Sequence, residues 1–141
     1  MATIEYRIGN DLDLDQMIEL YHASTLGARR PVRNRQTMSD MLCHANLIVT
    51  AWEDRLLIGI ARTLTDFSYV GYLADLAVRA SHQRRGIGAH LIQKTRDHMG
   101  TDSMLVLLAA PKAAEYYPHI GFARHDSAWT LSADAPRVSF D

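Results

Sequence analysis

The segment from Leu76 to Ile92 constrains this chain more than any other: an apolar run, a polar loop holding two glycines, then an apolar pattern of helical period. Leu76-Ala77-Val78 ends a run that begins at Tyr69 and reads as a long strand. Beyond the polar loop, Ile87, Leu91, Ile92, Thr95 and Met99 mark one face of a helix ending near Gly100. Glycines at Gly86 and Gly88 permit a tight turn and bring backbone N–H groups against a ligand with no side chain in the way. With a helix dipole behind them, those N–H groups form an anion site suited to phosphates, and Arg84 and Arg85 add charge. A dinucleotide fingerprint needs a third glycine where Leu91 stands, and a P-loop needs Gly-Lys-Ser/Thr where this chain has Gly88-Ala89-His90. Both nucleotide readings fail, and the loop taken alone reads equally well as a plain strand-to-helix turn.

The flanking periodicities place this unit in a mixed fold. Tyr6-Arg7-Ile8 is a short strand, and Leu14, Met17, Ile18 and Tyr21 then follow a helical spacing, with Asp13 and Gln16 resembling a capping box. Met38, Met41, Leu42 and Ala45 repeat that spacing after a basic loop from Gly27 to Arg35. Leu47–Trp52 and Leu56–Ala61 form a hairpin across Glu53-Asp54-Arg55. The continuous apolar run Met104–Ala109 reads as a strand covered on both faces. A short helix from Ala113 to Tyr117 stops at Pro118, and Phe122–Arg124 and Ala128–Leu131 read as two closing strands. The order β-α-α-β-β-β-α-β-α-β-β describes an α/β (α+β) fold with helices flanking a mixed, mostly antiparallel sheet.

Length and charge narrow the function classes. A chain of 141 residues without repeat or linker fits one domain, 1–141. The 15 Lys and Arg against 16 Asp and Glu argue against a domain that grips nucleic acid or an anionic membrane. A single cysteine, Cys43, excludes an internal disulfide framework and a cysteine-rich zinc site; His82, His90 and His98 share no ligand spacing, so no metal is expected. The N-terminus has no signal-peptide pattern and no apolar run reaches membrane-spanning length, so a cytoplasmic protein is expected.

Gln83-Arg84-Arg85-Gly86-Ile87-Gly88 resembles the Gln/Arg-x-x-Gly-x-Gly/Ala signature of the GNAT superfamily of N-acetyltransferases. Downstream, Ala113 to Phe122, with its Tyr116-Tyr117 pair and Gly121-Phe122, resembles that family's closing helix, and the element order is similar along nearly the whole chain. The resemblance implies acetyl transfer from acetyl-CoA to a primary amine of a small molecule, by direct attack in a ternary complex. It puts the cofactor pyrophosphate on the backbone of Arg84, Arg85, Gly86, Ile87, Gly88 and Ala89, beside Gln83. It lays the pantetheine arm like an added strand along Leu76, Ala77 and Val78, where an N–H near Ala77 or Val78 could steady charge on the thioester oxygen. Tyr117 falls where the family usually carries its general-acid tyrosine, and a phenol of pKa near 10 can protonate a departing thiolate. By the same resemblance a homodimer is expected, with the C-terminal strands as the contact.

Departures from the family pattern fall on the base and on one cofactor contact. Tyr72 stands where some members have a glutamate base, leaving Asp75 as the nearest carboxylate. Asp75 either deprotonates the amine or fixes the strand by bonding to backbone or to an arginine; Asp66 and His119 are weaker base candidates. Ala110 replaces an asparagine that often touches the cofactor. Arg29, Arg30, Arg33 and Arg35 read either as a solvated loop or as the frame of a pocket for an anionic acceptor, and Tyr21, Trp52 and Tyr69 as core or as pocket lining. The alternative from another class is a non-catalytic acyl-CoA-binding or regulatory module on the same fold.

Overall fold

A computed structural model describes residues 3–140; Met1, Ala2 and Asp141, at the two ends of the expected 1–141 domain, lie outside the described residues. The chain divides into two compact units, Met1–Leu108 and Ala109–Asp141.

The first unit is built on a five-stranded sheet in the order β1-β2-β3-β4-β5, where β1 is Ile4–Ile8, β2 Leu47–Glu53, β3 Leu56–Thr65, β4 Val70–Val78 and β5 Met104–Val106. The first four strands are antiparallel to their neighbours and only β4–β5 is parallel. Helix α1, Leu14–His22, starts where the Asp13 carboxylate accepts the Gln16 N–H at 3.1 Å. Helix α2, Arg35–His44, starts where the Asn34 side-chain oxygen accepts from Thr37, and a 3-10 turn over Thr25–Arg29 follows α1. Met17, Leu20 and Tyr21 of α1 and Met38 and Leu42 of α2 pack on Ile48, Trp52, Leu57, Ile60 and Ala77 of the sheet. Because strand side chains alternate, the opposite sheet face receives helix α3, Ile87–Asp97. Gly59 marks the contact: a Cβ there would lie 3.0 Å from Leu91 Cδ1 and 3.3 Å from Ile87 Cγ2. Leu47–Trp52 of β2 is buried throughout, as expected of a strand covered on both sides.

The mixed, mostly antiparallel sheet with flanking helices agrees with the sequence reading, but the C-terminal part does not. The run Met104–Ala109 forms only three residues of strand and is not covered on both faces; Met104 is 52% and Leu108 51% exposed. An edge strand pairing over Val70–Tyr72 alone has too few ladder bonds to extend further. Phe122–Arg124 and Ala128–Leu131 are irregular, because no strand among the described residues pairs with them and strand propensity does not act without a partner. In the second unit the expected helix becomes a 3-10 turn over Pro111–Ala113 and a helix α4, Tyr116–His119, which contains Pro118 rather than stopping at it.

Candidate active site

The β4-to-α3 connection is assembled from two left-handed residues and an uncapped helix start. Arg84 (φ 66°) and Gly86 (φ 78°) both adopt positive φ, and Gly86 is the N-cap of α3. A glycine cap brings no side chain to the first turn, so the N–H groups of Ile87, Gly88 and Ala89 precede the first helical bond, His90 N–H to Gly86 O at 3.1 Å. These donors, the helix dipole and the exposed Arg84 and Arg85 give the start of α3 a positive potential that could hold an anion. The His90 ring also hydrogen-bonds Gly86 O at 2.8 Å and stacks on Tyr6 of β1. Just upstream, the buried His82 imidazole lies 2.7 Å from Ser81 Oγ and 3.2 Å from Glu53 Oε1, tying the loop to the end of β2. Gln83 donates its side-chain amide to Val78 O at 3.0 Å, closing the loop onto its own strand.

The strand leading into this loop has an open edge. Beyond Tyr72, β4 has no further pairing with β5, and no other described strand takes that side. The alternation of antiparallel bonds shows which residues face it. Arg79 N–H bonds Ile58 O at 2.8 Å, so in the same register Ala77 pairs with Ile60 through its backbone. Leu76 and Val78 therefore turn their N–H and C=O groups to the open side, whereas the backbone of Ala77 faces β3. Of the three strand residues expected to meet the pantetheine arm, Leu76 and Val78 have the outward donors.

This phase is set by a bulge. Before it, Asp66 N–H bonds Val70 O, and Tyr72 opposes Leu64; after it, Asp75 opposes Arg62. Ala74 is the extra residue between Leu73, opposite Thr63, and Asp75. Even-numbered residues face β3 before the bulge and odd-numbered ones after it, which is what turns Leu76 and Val78 outward.

Asp75 sits directly after the bulge and is 1% exposed. Its Oδ1 accepts from Arg30 Nε at 2.5 Å, and its Oδ2 accepts from Tyr21 Oη and Arg62 Nε, each at 2.6 Å. Burial pushes this carboxyl up, but the hydrogen bond and charge of Arg62, with the bonds from Tyr21 and Arg30, outweigh it and hold the group below its ordinary value. Burial pushes the Tyr21 phenol well up, and the Asp75 charge pushes it further, so it stays a donor. Asp75 is thus a fully engaged carboxylate within a buried cluster. The sequence marks Asp75 as a candidate but does not identify Tyr21 and Arg62 as its partners; the available signal is Arg62, a lone charge in an apolar strand as Asp75 is in the next.

The other carboxylate candidate, Asp66, accepts the N–H groups of Ser68, Tyr69 and Val70 in the β3–β4 turn, which lowers its pKa. In the second unit, Tyr117 meets Tyr116 and Phe122 edge-on, with centroids at 5.3 and 5.4 Å. Gly121 (φ 109°) ends α4: its N–H bonds Pro118 O, and Phe122 N–H bonds Tyr117 O at 2.9 Å, a Schellman closure in which Phe122 packs on Tyr117. His119 is on the same helix. Among the described residues no group of three His, Cys, Asp or Glu is arranged to hold a metal, and no helix is long and apolar enough to cross a membrane.

A family model described as "Acetyltransferase (GNAT) domain" matches residues 24–130. Among curated proteins, the chain is similar to "Uncharacterized N-acetyltransferase ycf52" of Gracilaria tenuistipitata var. liui, 25% identical over 97 residues, which are 67% of this chain and 53% of that protein. The matched region thus spans about half the relative's length. Among solved structures, the GNAT family protein SP0256 from Streptococcus pneumoniae TIGR4 superposes with a TM-score of 0.70 at 22% identity, covering 92% of this chain and 97% of that one. An aminoglycoside N-acetyltransferase, AAC(6')-Iy in complex with CoA, gives a TM-score of 0.73 at 17% identity, covering 96% and 97%. At these identities the two structures establish a shared fold.

Proposed function

The chain belongs to the GNAT acetyltransferase family, and from that premise we propose that it is a cytoplasmic enzyme transferring acetyl from acetyl-CoA to a primary amine of a small molecule, by direct attack in a ternary complex. The observation that carries the proposal is the continuity of the open β4 edge at Leu76 and Val78 with the uncapped start of α3. An extended arm bearing amides fits an unpaired strand edge, and a pyrophosphate fits N–H donors at a helix start; here the two lie end to end.

Acetyl-CoA would supply an activated thioester. The backbone N–H groups of Arg84 to Ala89 would take the diphosphate, helped by the Arg84 and Arg85 charges. Gln83 serves this loop by holding Val78 O. The outward N–H groups of Leu76 and Val78 are the donors for the arm and for charge growing on the thioester oxygen. We assign proton donation to the leaving thiolate to Tyr117, on its position in the closing motif. Asp75, with both oxygens engaged by cationic or phenolic donors, is assigned to holding the strand rather than to removing a proton from the amine.

The deciding experiment follows thiol release from acetyl-CoA across small amines, polyamines, amino sugars and lysine peptides. Release that saturates with one amine class supports the proposal and identifies the acceptor. Cofactor binding with no release for any amine favours a non-catalytic acyl-CoA-binding module, and absence of binding overturns the assignment of the loop.

A further inference from the structure

We propose that Arg30 is a positioning residue for the transfer step: it latches the segment joining α1 to α2 onto the β4 bulge and so maintains the strand phase that turns Leu76 and Val78 outward. The proposal rests on the acyl-transfer reading for its kinetic consequence, but not for its structural one.

A bulged residue is left out of the sheet ladder, and its backbone groups need another partner. The Ala74 carbonyl has one: Arg30 Nη2 donates to it at 2.9 Å. The same guanidinium donates from Nε to Asp75 Oδ1 and from Nη1 to Arg29 O at 2.9 Å. One planar fork therefore joins the bulged residue, the residue after it, and the basic segment. The charges indicate that Arg30 does more than neutralise Asp75. The Asp75 carboxylate already meets Arg62, whose side chain is 10% exposed, and the buried Tyr21 hydroxyl. A second arginine leaves the cluster with an excess positive charge, and its side chain is 24% exposed. Removing Arg62 would leave Asp75 Oδ2 with Tyr21 alone in the buried part of the cluster. Removing Arg30 leaves Asp75 with an arginine and a tyrosine, and the space vacated at the surface admits water. The bulge is then the element that loses its external partner.

The test compares Arg30→Ala and Arg30→Lys with wild type by thermal melting, by calorimetry with CoA, by hydrogen exchange of the β4 amides and by steady-state thiol release. Arg30→Ala should melt within a few degrees of wild type and bind CoA several-fold more weakly, since the loop at Gly86 is intact and only the arm donors at Leu76 and Val78 are displaced. It should lose exchange protection at the Asp75 and Ala77 amides, which face β3 beyond the bulge, and its kcat should fall by at least about tenfold through misplacement of the reacting groups. Arg30→Lys retains the charge but cannot span three acceptors, so it should not restore kcat. Unchanged β4 protection in Arg30→Ala overturns the latch, even if the wild-type protein releases no thiol with any amine. Where wild type does turn over, an unchanged kcat in Arg30→Ala overturns the positioning role, and full recovery by Arg30→Lys shows that charge, not the fork, is responsible.

Discussion

At the scale of single residues, substitution separates the structural role proposed for Asp75 from the chemical role proposed for Tyr117. Asp75→Asn keeps the shape of the side chain but leaves Arg62, nearly buried, without its counter-charge. Breaking a buried pair in this way costs about 3–5 kcal/mol, to be read as a lowered urea midpoint. Tyr117→Phe keeps the ring contacts with Tyr116 and Phe122 and removes only the hydroxyl. Its CoA affinity should stay near wild type while kcat falls, by roughly 100-fold if the phenol is the proton donor; an unchanged kcat refutes that role. Acid stability follows from the carboxylates. The pKa of Asp75 is lowered on folding by Arg62, Tyr21 and Arg30 against burial, that of Asp66 by backbone N–H bonds and that of Glu19 chiefly by Arg79. A group with a depressed folded-state pKa stabilises the protein above its unfolded pKa, near 4, and loses that contribution as pH falls through the folded value. The melting temperature should therefore be level above about pH 5 and decline below about pH 4, and a rise on acidification would contradict the ion-pair assignments.

At the scale of elements, the β4-loop-α3 unit shows how far local signals reach. Gly86 is both an αL cap and the head of the proposed anion site, so Gly86→Glu combines two penalties. The left-handed conformation costs a side-chain-bearing residue about 1–2 kcal/mol, and the carboxylate adds negative charge where an anion is to bind. CoA affinity measured by calorimetry should drop by more than the small loss in stability explains; equal affinity would show that the phosphates bind elsewhere. The helix pattern of Ile87, Leu91, Ile92 and Thr95, the two glycines and the Asp13 cap were legible because each acts within one turn of its own position. The bulge at Ala74 was not, since it depends on the pairing register of two strands. The outward turn of Leu76 and Val78 follows from that register, so no local pattern distinguishes them from Ala77. Arg62 and Tyr21 lie 13 and 54 positions from Asp75, beyond the reach of any periodicity. The strands expected over Phe122–Arg124 and Ala128–Leu131 failed for a related reason: apolar and aromatic content describes a strand's side chains, not the presence of a neighbour to bond it.

At the scale of the whole molecule, the hydrophobic core is unevenly distributed along the chain. Every buried apolar side chain among the described residues lies between Met17 and Met99, within the unit Met1–Leu108. In the unit Ala109–Asp141 no described residue is buried, and Trp129 is 91% and Phe140 85% exposed. Burial of apolar surface is the main favourable term in folding, so the first unit contains the greater part of what stabilises the protein. A chain ending at Leu108 should therefore unfold cooperatively, with a melting temperature within about 5 °C of the full chain, equivalent to roughly 1 kcal/mol. It retains the open edge of β4 and the α3 loop and should still bind CoA, yet it lacks Tyr117 and should release no thiol with an amine that the full chain accepts. Thermal melting, calorimetry and the thiol assay on the same preparation read these three outcomes separately. Loss of the cooperative transition would show that residues 109–141 contribute to one folding unit, as the single domain 1–141 requires. Retention of both folding and thiol release would place the proton donor outside the closing motif.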